Sequence, residues 1–224
     1  MFRPGTCCNK YPQSETKFVV GTLNIQNAKS NDLYLKQTLK RCDILCVQEH
    51  WLFSFEKDIL MNISKNHEYR AKCVDEETET ESIICGRGYG GVATFWRKSI
   101  DHAIKYYNDG NERINVITVN IKEQPLCIIS VYMPSENSNR DEKYKDTMAQ
   151  LEEIIDKFAV DHQIMICGDF NASVHRDNRS RDRCLKTLWK AVNYYLQRDI
   201  QRNQLFSTTI ECQCLRLTIS CTKI

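Results

Sequence analysis

Apolar and polar positions follow two periods along this chain, and the period switches several times. Phe18-Val19-Val20-Gly21-Thr22-Leu23-Asn24-Ile25 is rich in β-branched residues and reads as a strand. Leu35 and Leu39, four apart, mark one face of a helix that ends near Arg41. Asp43 to Gln48 is a second strand, apolar almost throughout as a strand buried on both faces should be. A strand, a helix and a strand in about 30 residues form a crossover unit. Val92 to Trp96, the alternating stretch Arg113 to Ile121 and the apolar run Leu126 to Val131 add further strands. Between Arg140 and Val160, Tyr144, Met148, Leu151, Ile154, Ile155 and Phe158 recur at three and four, which predicts a long amphipathic helix. Gln163 to Cys167 reads as another buried strand, and Leu185, Leu188, Trp189, Val192 and Leu196 as another helical face. Strands and helices in alternation predict an α/β fold.

The pattern covers residues 17–196 and is absent on either side. Residues 1–16, polar and punctuated by Pro4, Gly5 and Pro12, read as a loose arm, and after 196 the periodicity stops. With 224 residues, 42% of them hydrophobic, the chain can build one large domain with a packed core. Its 31 basic and 29 acidic residues nearly cancel, so there is no global attraction to nucleic acid or anionic lipid; a polyanion would have to be held by a local patch. The start, Met1 to Thr6, has no apolar segment of the signal-peptide kind, and no run approaches the roughly 18 apolar residues of a membrane span. The expectation is a soluble, intracellular protein, nuclear or cytoplasmic, with no membrane partner. Its oligomeric state is left open.

Twelve cysteines could suggest a disulfide framework, but Cys42, Cys46, Cys127 and Cys167 sit inside apolar strands and read as buried free thiols. Cys212, Cys214 and Cys221 lack the spacing and the histidines of a zinc cluster. The acidic run Asp75, Glu76, Glu77, Glu79 and Glu81 reads as a solvated loop. Gly86, Gly88, Gly90 and Gly91 precede a strand instead of joining strand to helix, which rules out a dinucleotide-binding loop.

Chemistry is concentrated where apolar runs end. Val47-Gln48-Glu49-His50-Trp51 and Cys167-Gly168-Asp169-Phe170-Asn171 each place a carboxylate at a strand terminus, and Asn24 ends the first strand in the same way. Carboxylates and amides leaving neighbouring strands converge at one rim of a sheet, where they can give a hard cation oxygen ligands beside a phosphate. Singly, each has an ordinary reading: Glu49 as a solvated strand end, Asn24 as a turn former, Asp169-Phe170-Asn171 as an Asx turn. His50 should point to the face opposite Glu49. Trp51, Arg87, Tyr89 and Arg97 read either as stacking and phosphate contacts or as core aromatics and surface charge.

Taken together, Leu23-Asn24, Val47-Gln48-Glu49, Gly90-Gly91-Val92-Ala93, Ser130-Val131-Tyr132-Met133-Pro134 and Gly168-Asp169-Phe170-Asn171 resemble, in order and spacing, the endonuclease/exonuclease/phosphatase superfamily. Within it, the pattern is most similar to the endonuclease domain of non-LTR retrotransposon polyproteins. The resemblance implies a four-layered α/β sandwich, two packed mixed sheets flanked by helices, and Mg²⁺- or Mn²⁺-dependent hydrolysis of a DNA phosphodiester. It implies Glu49 as metal ligand with Asn24 beside it, Asp169 as the group that orients or deprotonates water, Asn171 as phosphate positioner and Tyr132 as donor to a phosphate oxygen. The same superfamily holds abasic-site nucleases, deadenylases, inositol phosphatases and sphingomyelinases, which remain alternative substrates. A fragment without activity that binds nucleic acid or protein remains the alternative outside enzymology.

The resemblance also implies a late Asp and a Ser-Asp-His segment, and neither follows Asn171; the one later histidine, His175, is too near Asp169 in sequence to replace a residue from a remote strand. The tail offers a reason. When Asn203 to Cys221 is read from the third base of each codon, Gln204 to Ile210 permits Pro-Thr-Phe-Phe-His-His-Asn, and Leu215 to Cys221 permits Ser-Gln-Ile-Asp-Tyr-Ile-Leu. Both strings are similar to the late part of retrotransposon endonucleases. The expectation is a frameshift near Leu196 to Arg198, with 197–224 an aberrant tail and the domain short of its last strands and impaired in activity.

Overall fold

The computed structural model describes residues 18–76, 88–120, 125–135, 141–202 and 210–214, of which 193–202 and 210–214 are described in backbone only. The 1–16 arm, Glu77 to Arg87 with most of the acidic run, Ile121, Arg140 and the segment from Leu215 through Cys221 lie outside the described residues.

The first sheet is built from β1 (Phe18–Asn24), β2 (Ile44–Gln48), β3 (His67–Lys72), β4 (Val92–Arg97) and β9 (Ile210–Cys214), in the order β3-β4-β2-β1-β9. The second contains β5 (Ile104–Tyr107), β6 (Ile114–Val119), β7 (Leu126–Tyr132) and β8 (Gln163–Asp169), in that order. Both are mixed: β1 runs parallel to β2 and β9, β7 runs parallel to β8, and the remaining pairs are antiparallel. The parallel β1–β2 pair is joined by α1 (Asp32–Leu39) and the β7–β8 pair by α3 (Asp141–Phe158), the crossovers that parallel strands require.

The sheets pack face to face through Val20, Ile44, Cys46 and Trp96 from one and Ile117, Ile128, Met165 and Cys167 from the other. On the outer face of the first sheet, Leu35 and Leu39 of α1 and Leu60 and Ile63 of α2 (Asp58–Ile63) cover Leu45, Val47 and Phe95. On the outer face of the second, Tyr144, Met148, Leu151 and Ile155 of α3 and Leu185, Leu188 and Val192 of α4 (Ser180–Arg202) cover Val116, Ile129 and Ile166. Helix, sheet, sheet, helix: this is the four-layered α/β sandwich. It explains the near-continuous apolar runs of β2, β6 and β7, whose residues are buried on both faces.

Cys42, Cys46, Cys127 and Cys167 are buried free thiols, as their apolar surroundings imply, and Cys73 joins them. Burial pushes the thiols of Cys73 and Cys127 up to about 12, so both are protonated and inert. Three elements carry no clear apolar period and were not anticipated: α2, β3 and β5. The sequence of β3, His-Glu-Tyr-Arg-Ala-Lys, puts a charge at every second position of an edge strand, where Arg70 is exposed and Lys72 is buried with its ammonium on the Asn108 and Asp109 carbonyls. Helix α4 continues past residue 196 to Arg202, and β9 comes from the stretch set apart as a tail. Its period-two sequence, Ile-Glu-Cys-Gln-Cys, lies along the free edge of β1, whose backbone groups need partners.

Candidate metal and phosphate site

Because β1 is parallel to β2 and β7 is parallel to β8, four strands end on the same side of the sandwich. Their last residues and the turns beyond them form the rim. A buried polar bridge ties the sheets just beneath it: Thr22 Oγ1 donates to Gln48 Oε1 at 3.1 Å, and Gln48 Nε2 donates to Ser130 Oγ at 3.2 Å.

At the rim, Asn24 Nδ2 donates to Glu49 Oε1 at 2.7 Å and to Asp169 Oδ2 at 2.9 Å. One amide nitrogen thus holds carboxylates from both sheets. The backbone is bent to allow it: Glu49 has φ 58°, in the left-handed region that non-glycine residues rarely enter, and Trp51 and Asn171 share it at 56° and 47°. The bend at Glu49 is closed by Glu49 N–H to Gly91 O at 2.9 Å and Trp51 N–H to Gly90 O at 3.0 Å. The second carboxylate oxygen, Glu49 Oε2, accepts from the indole Nε1 of Trp51 at 3.1 Å.

Two glycines make these turns possible. At Gly91, with φ 79°, a Cβ would lie 2.4 Å from the His50 ring; at Gly168, with φ 149°, it would lie 1.9 Å from Val131 O. The turn after β8 is an Asx turn in which Asn171 N–H donates to Asp169 Oδ1 at 3.1 Å, while Asn171 Nδ2 donates to Met133 O at 2.8 Å. Both oxygens of Asp169 are therefore fixed.

Tyr132, in register with Asp169, completes the rim. Burial, then the charge of Glu49 and a hydrogen bond to it, push its phenol up to about 12, against the opposing Arg113 guanidinium. That guanidinium lies 5.3 Å from the Tyr132 ring centre. The phenol is a protonated donor throughout the neutral range.

Among the described residues no three His, Cys, Asp or Glu side chains are grouped to hold a metal. The donor set is instead two carboxylates and an amide whose Oδ1 is buried without a hydrogen-bond partner. An orphaned acceptor beside two carboxylates, with no soft ligand among them, fits a hard cation; Mg²⁺ in particular is held by one or two carboxylates and keeps several waters.

The sequence model of the Endonuclease/Exonuclease/phosphatase family matches residues 21–211, most of the chain and all of this rim. The chain belongs to that family. The endonuclease/exonuclease/phosphatase fold is seen again in solved structures. A 3′ phosphatase from Neisseria bound to product DNA hairpin aligns at 15% identity over 78% of this chain and 70% of its own, with a TM-score of 0.53. The endonuclease domain of TRAS1, a telomere-specific non-LTR retrotransposon, aligns at 12% identity over 76% and 68%, with the same score of 0.53. An AP endonuclease from Archaeoglobus fulgidus aligns at 16% identity over 84% and 74%, with a score of 0.52. No curated protein matches in sequence. Among the described residues no helix of this family member is long and apolar enough to cross a membrane.

The structure brings together all five residues singled out for chemistry: Asn24, Glu49, Tyr132, Asp169 and Asn171. It separates others. His50 is fully buried and turned from the rim, its Nε2 3.1 Å from Lys72 O and its Nδ1 accepting Leu52 N–H at 3.1 Å; burial lowers its pKa to about 4. Arg97 sits at the opposite end of the sheet, donating to Asp43 at 2.8 Å and to Lys40 O at 3.0 Å. His175 is exposed. Tyr89 is 41% exposed, and Arg87 lies outside the described residues. The contribution that sequence reasoning missed is Arg113, the residue just before β6, which lies over the Tyr132 ring and donates to Tyr132 O at 3.3 Å; no motif marks it.

Proposed function

We propose that this chain is a Mg²⁺- or Mn²⁺-dependent DNA endonuclease domain of retrotransposon origin, weakened by the change of its late sequence. The observation that carries the reading is the Asn24 amide, which gathers a carboxylate from each sheet onto one atom beside a protonated phenol. Glu49 and Asn24 hold the cation. When bound, it supplies Lewis-acid stabilisation of charge on the phosphate. Asp169, its carboxylate fixed on both oxygens, takes a proton from the attacking water. Tyr132 donates to a non-bridging phosphate oxygen, and the second amide hydrogen of Asn171 does the same from a turn locked to Met133. Contacts of this kind read the DNA backbone and not its sequence.

The tail 197–224 enters as part of the proposal. A frameshift near Leu196 to Arg198 removes the late Asp and His, and a missing proton-handling or oxyanion-stabilising group lowers the rate by about 10² to 10⁴. Among the described residues no histidine hydrogen-bonds to Glu49 or Asp169, which favours a second reading: a fragment that retains the groove and binds nucleic acid or protein without cutting. Nicking of supercoiled plasmid with Mg²⁺, alongside Glu49→Ala, separates the two. Activity that vanishes in the variant supports the endonuclease; none in either chain supports the binding fragment. Cleavage of oligoadenylate or of 3′-phosphorylated DNA in place of plasmid supports a deadenylase or phosphatase of the same family.

A further inference from the structure

Among the described rim residues, Trp51 has no task in the reaction, yet its backbone is strained. A bulky side chain at φ 56° is an outlier, and such strain persists only where the surroundings impose it. Here they do: Trp51 N–H is held by Gly90 O at 3.0 Å, and Gly88 lies so close beneath that a Cβ there would come within 2.4 Å of Trp51 O. The result is that Glu49 and Trp51, two residues apart, face the same way, and the indole N–H reaches Glu49 Oε2 at 3.1 Å.

We propose that Trp51 is a positioning residue for the cation, acting through Glu49; the inference rests on the reading of the rim as a divalent-cation site. A carboxylate has about four lone-pair directions. Asn24 takes one on Oε1, Trp51 one on Oε2 and the Tyr132 phenol a third, which stops the carboxylate from turning and leaves one lone pair for a cation. The donor type matters. An arginine or lysine in this place would neutralise Glu49 and repel the ion, and a hydroxyl or imidazole could itself compete as a ligand. Indole donates only and carries no charge, so it orients the carboxylate without spending its negative charge.

The test is a Mn²⁺ titration of the full chain followed by electron paramagnetic resonance, with wild type, Trp51→Phe and Glu49→Ala. Phenylalanine keeps an aromatic ring, smaller than indole, and loses the N–H. The expected result is loss of the site in Glu49→Ala and a dissociation constant raised about 10-fold in Trp51→Phe, with the melting temperature in EDTA unchanged. Metal concentration for half-maximal nicking should rise in parallel while the rate at saturating metal stays within a few-fold. If Trp51→Phe does not fold, 3-benzothienylalanine at position 51, isosteric with tryptophan but without the N–H, takes its place. Unchanged Mn²⁺ affinity in the N–H-less chain, with Glu49→Ala still losing the site, overturns the role of Trp51 alone. Unchanged affinity in Glu49→Ala overturns the cation site itself.

Discussion

Asn24 and Asp169 stand 145 residues apart and belong to different sheets, yet their side chains meet at 2.9 Å, and the same Asn24 nitrogen lies 2.7 Å from Glu49. A neutral amide between two carboxylates relieves part of the repulsion that would otherwise push the sheets apart at this rim. Asn24→Asp removes that donor and adds a third negative charge. Its melting temperature in EDTA should fall by about 3–8 °C, from a loss of about 1–3 kcal/mol, and added Mg²⁺ should restore most of it. Thermal unfolding with and without Mg²⁺ measures this; a variant as stable as wild type in EDTA would show that the rim carries no such strain.

Gly168 is where the active turn depends on the absence of a side chain. Gly168→Ala places a Cβ on Val131 O at a φ of 149°, so the β8 end must move and take Asp169 with it. Stability should fall by at least about 3 kcal/mol, and any nicking activity with it. Urea unfolding at neutral pH gives the number.

His50 makes folding sensitive to mild acid. Its pKa falls from 6.5 in the unfolded chain to about 4 in the fold, so below pH 6.5 the unfolded state binds the extra proton and the folded state does not. The stability present above pH 6.5 is lost progressively toward pH 4, by about 2 kcal/mol at pH 5. His67, also lowered chiefly by burial, works in the same direction. Wild type and His50→Gln compared by urea unfolding at pH 7.5 and 5 should differ in slope: steep for wild type, shallower for the variant. Equal slopes would contradict the buried neutral imidazole.

Most of the layout was legible because its elements bury a face. The helix at Asp141–Phe158 shows its 3.6 period in six apolar positions, and β7 and β8 show continuous apolar runs. The short α2 and the edge strand β3 were not legible: half of α2 is exposed, and β3 buries His67, Ala71 and Lys72 between charged neighbours, so no apolar period survives. At the site, residue types and strand ends gave Asn24, Glu49 and Asp169, and the family resemblance added Tyr132 and Asn171. Sequence could not give the left-handed bends at Glu49 and Trp51, which come from backbone bonds to Gly90 and Gly91 some 40 residues away, nor Arg113 over Tyr132.

The proposed frameshift has a consequence in nucleic acid and one in protein. The codons from Asn203 onward should spell Pro-Thr-Phe-Phe-His-His-Asn and Ser-Gln-Ile-Asp-Tyr-Ile-Leu in the shifted frame. A chain carrying the restored frame should nick plasmid about 10² to 10⁴ times faster than this one. Codons that do not allow those strings end the proposal.

The site turns on Glu49 and Asn24 holding one divalent cation beside Asp169 at the common end of the two sheets. Anomalous diffraction from crystals soaked in Mn²⁺ tests it without relying on turnover. The account predicts one strong peak in coordination contact with the Glu49 carboxylate and on the side facing Asp169, lost in Glu49→Ala. Mn²⁺ bound only away from both carboxylates, or a peak that survives in the variant, would contradict it.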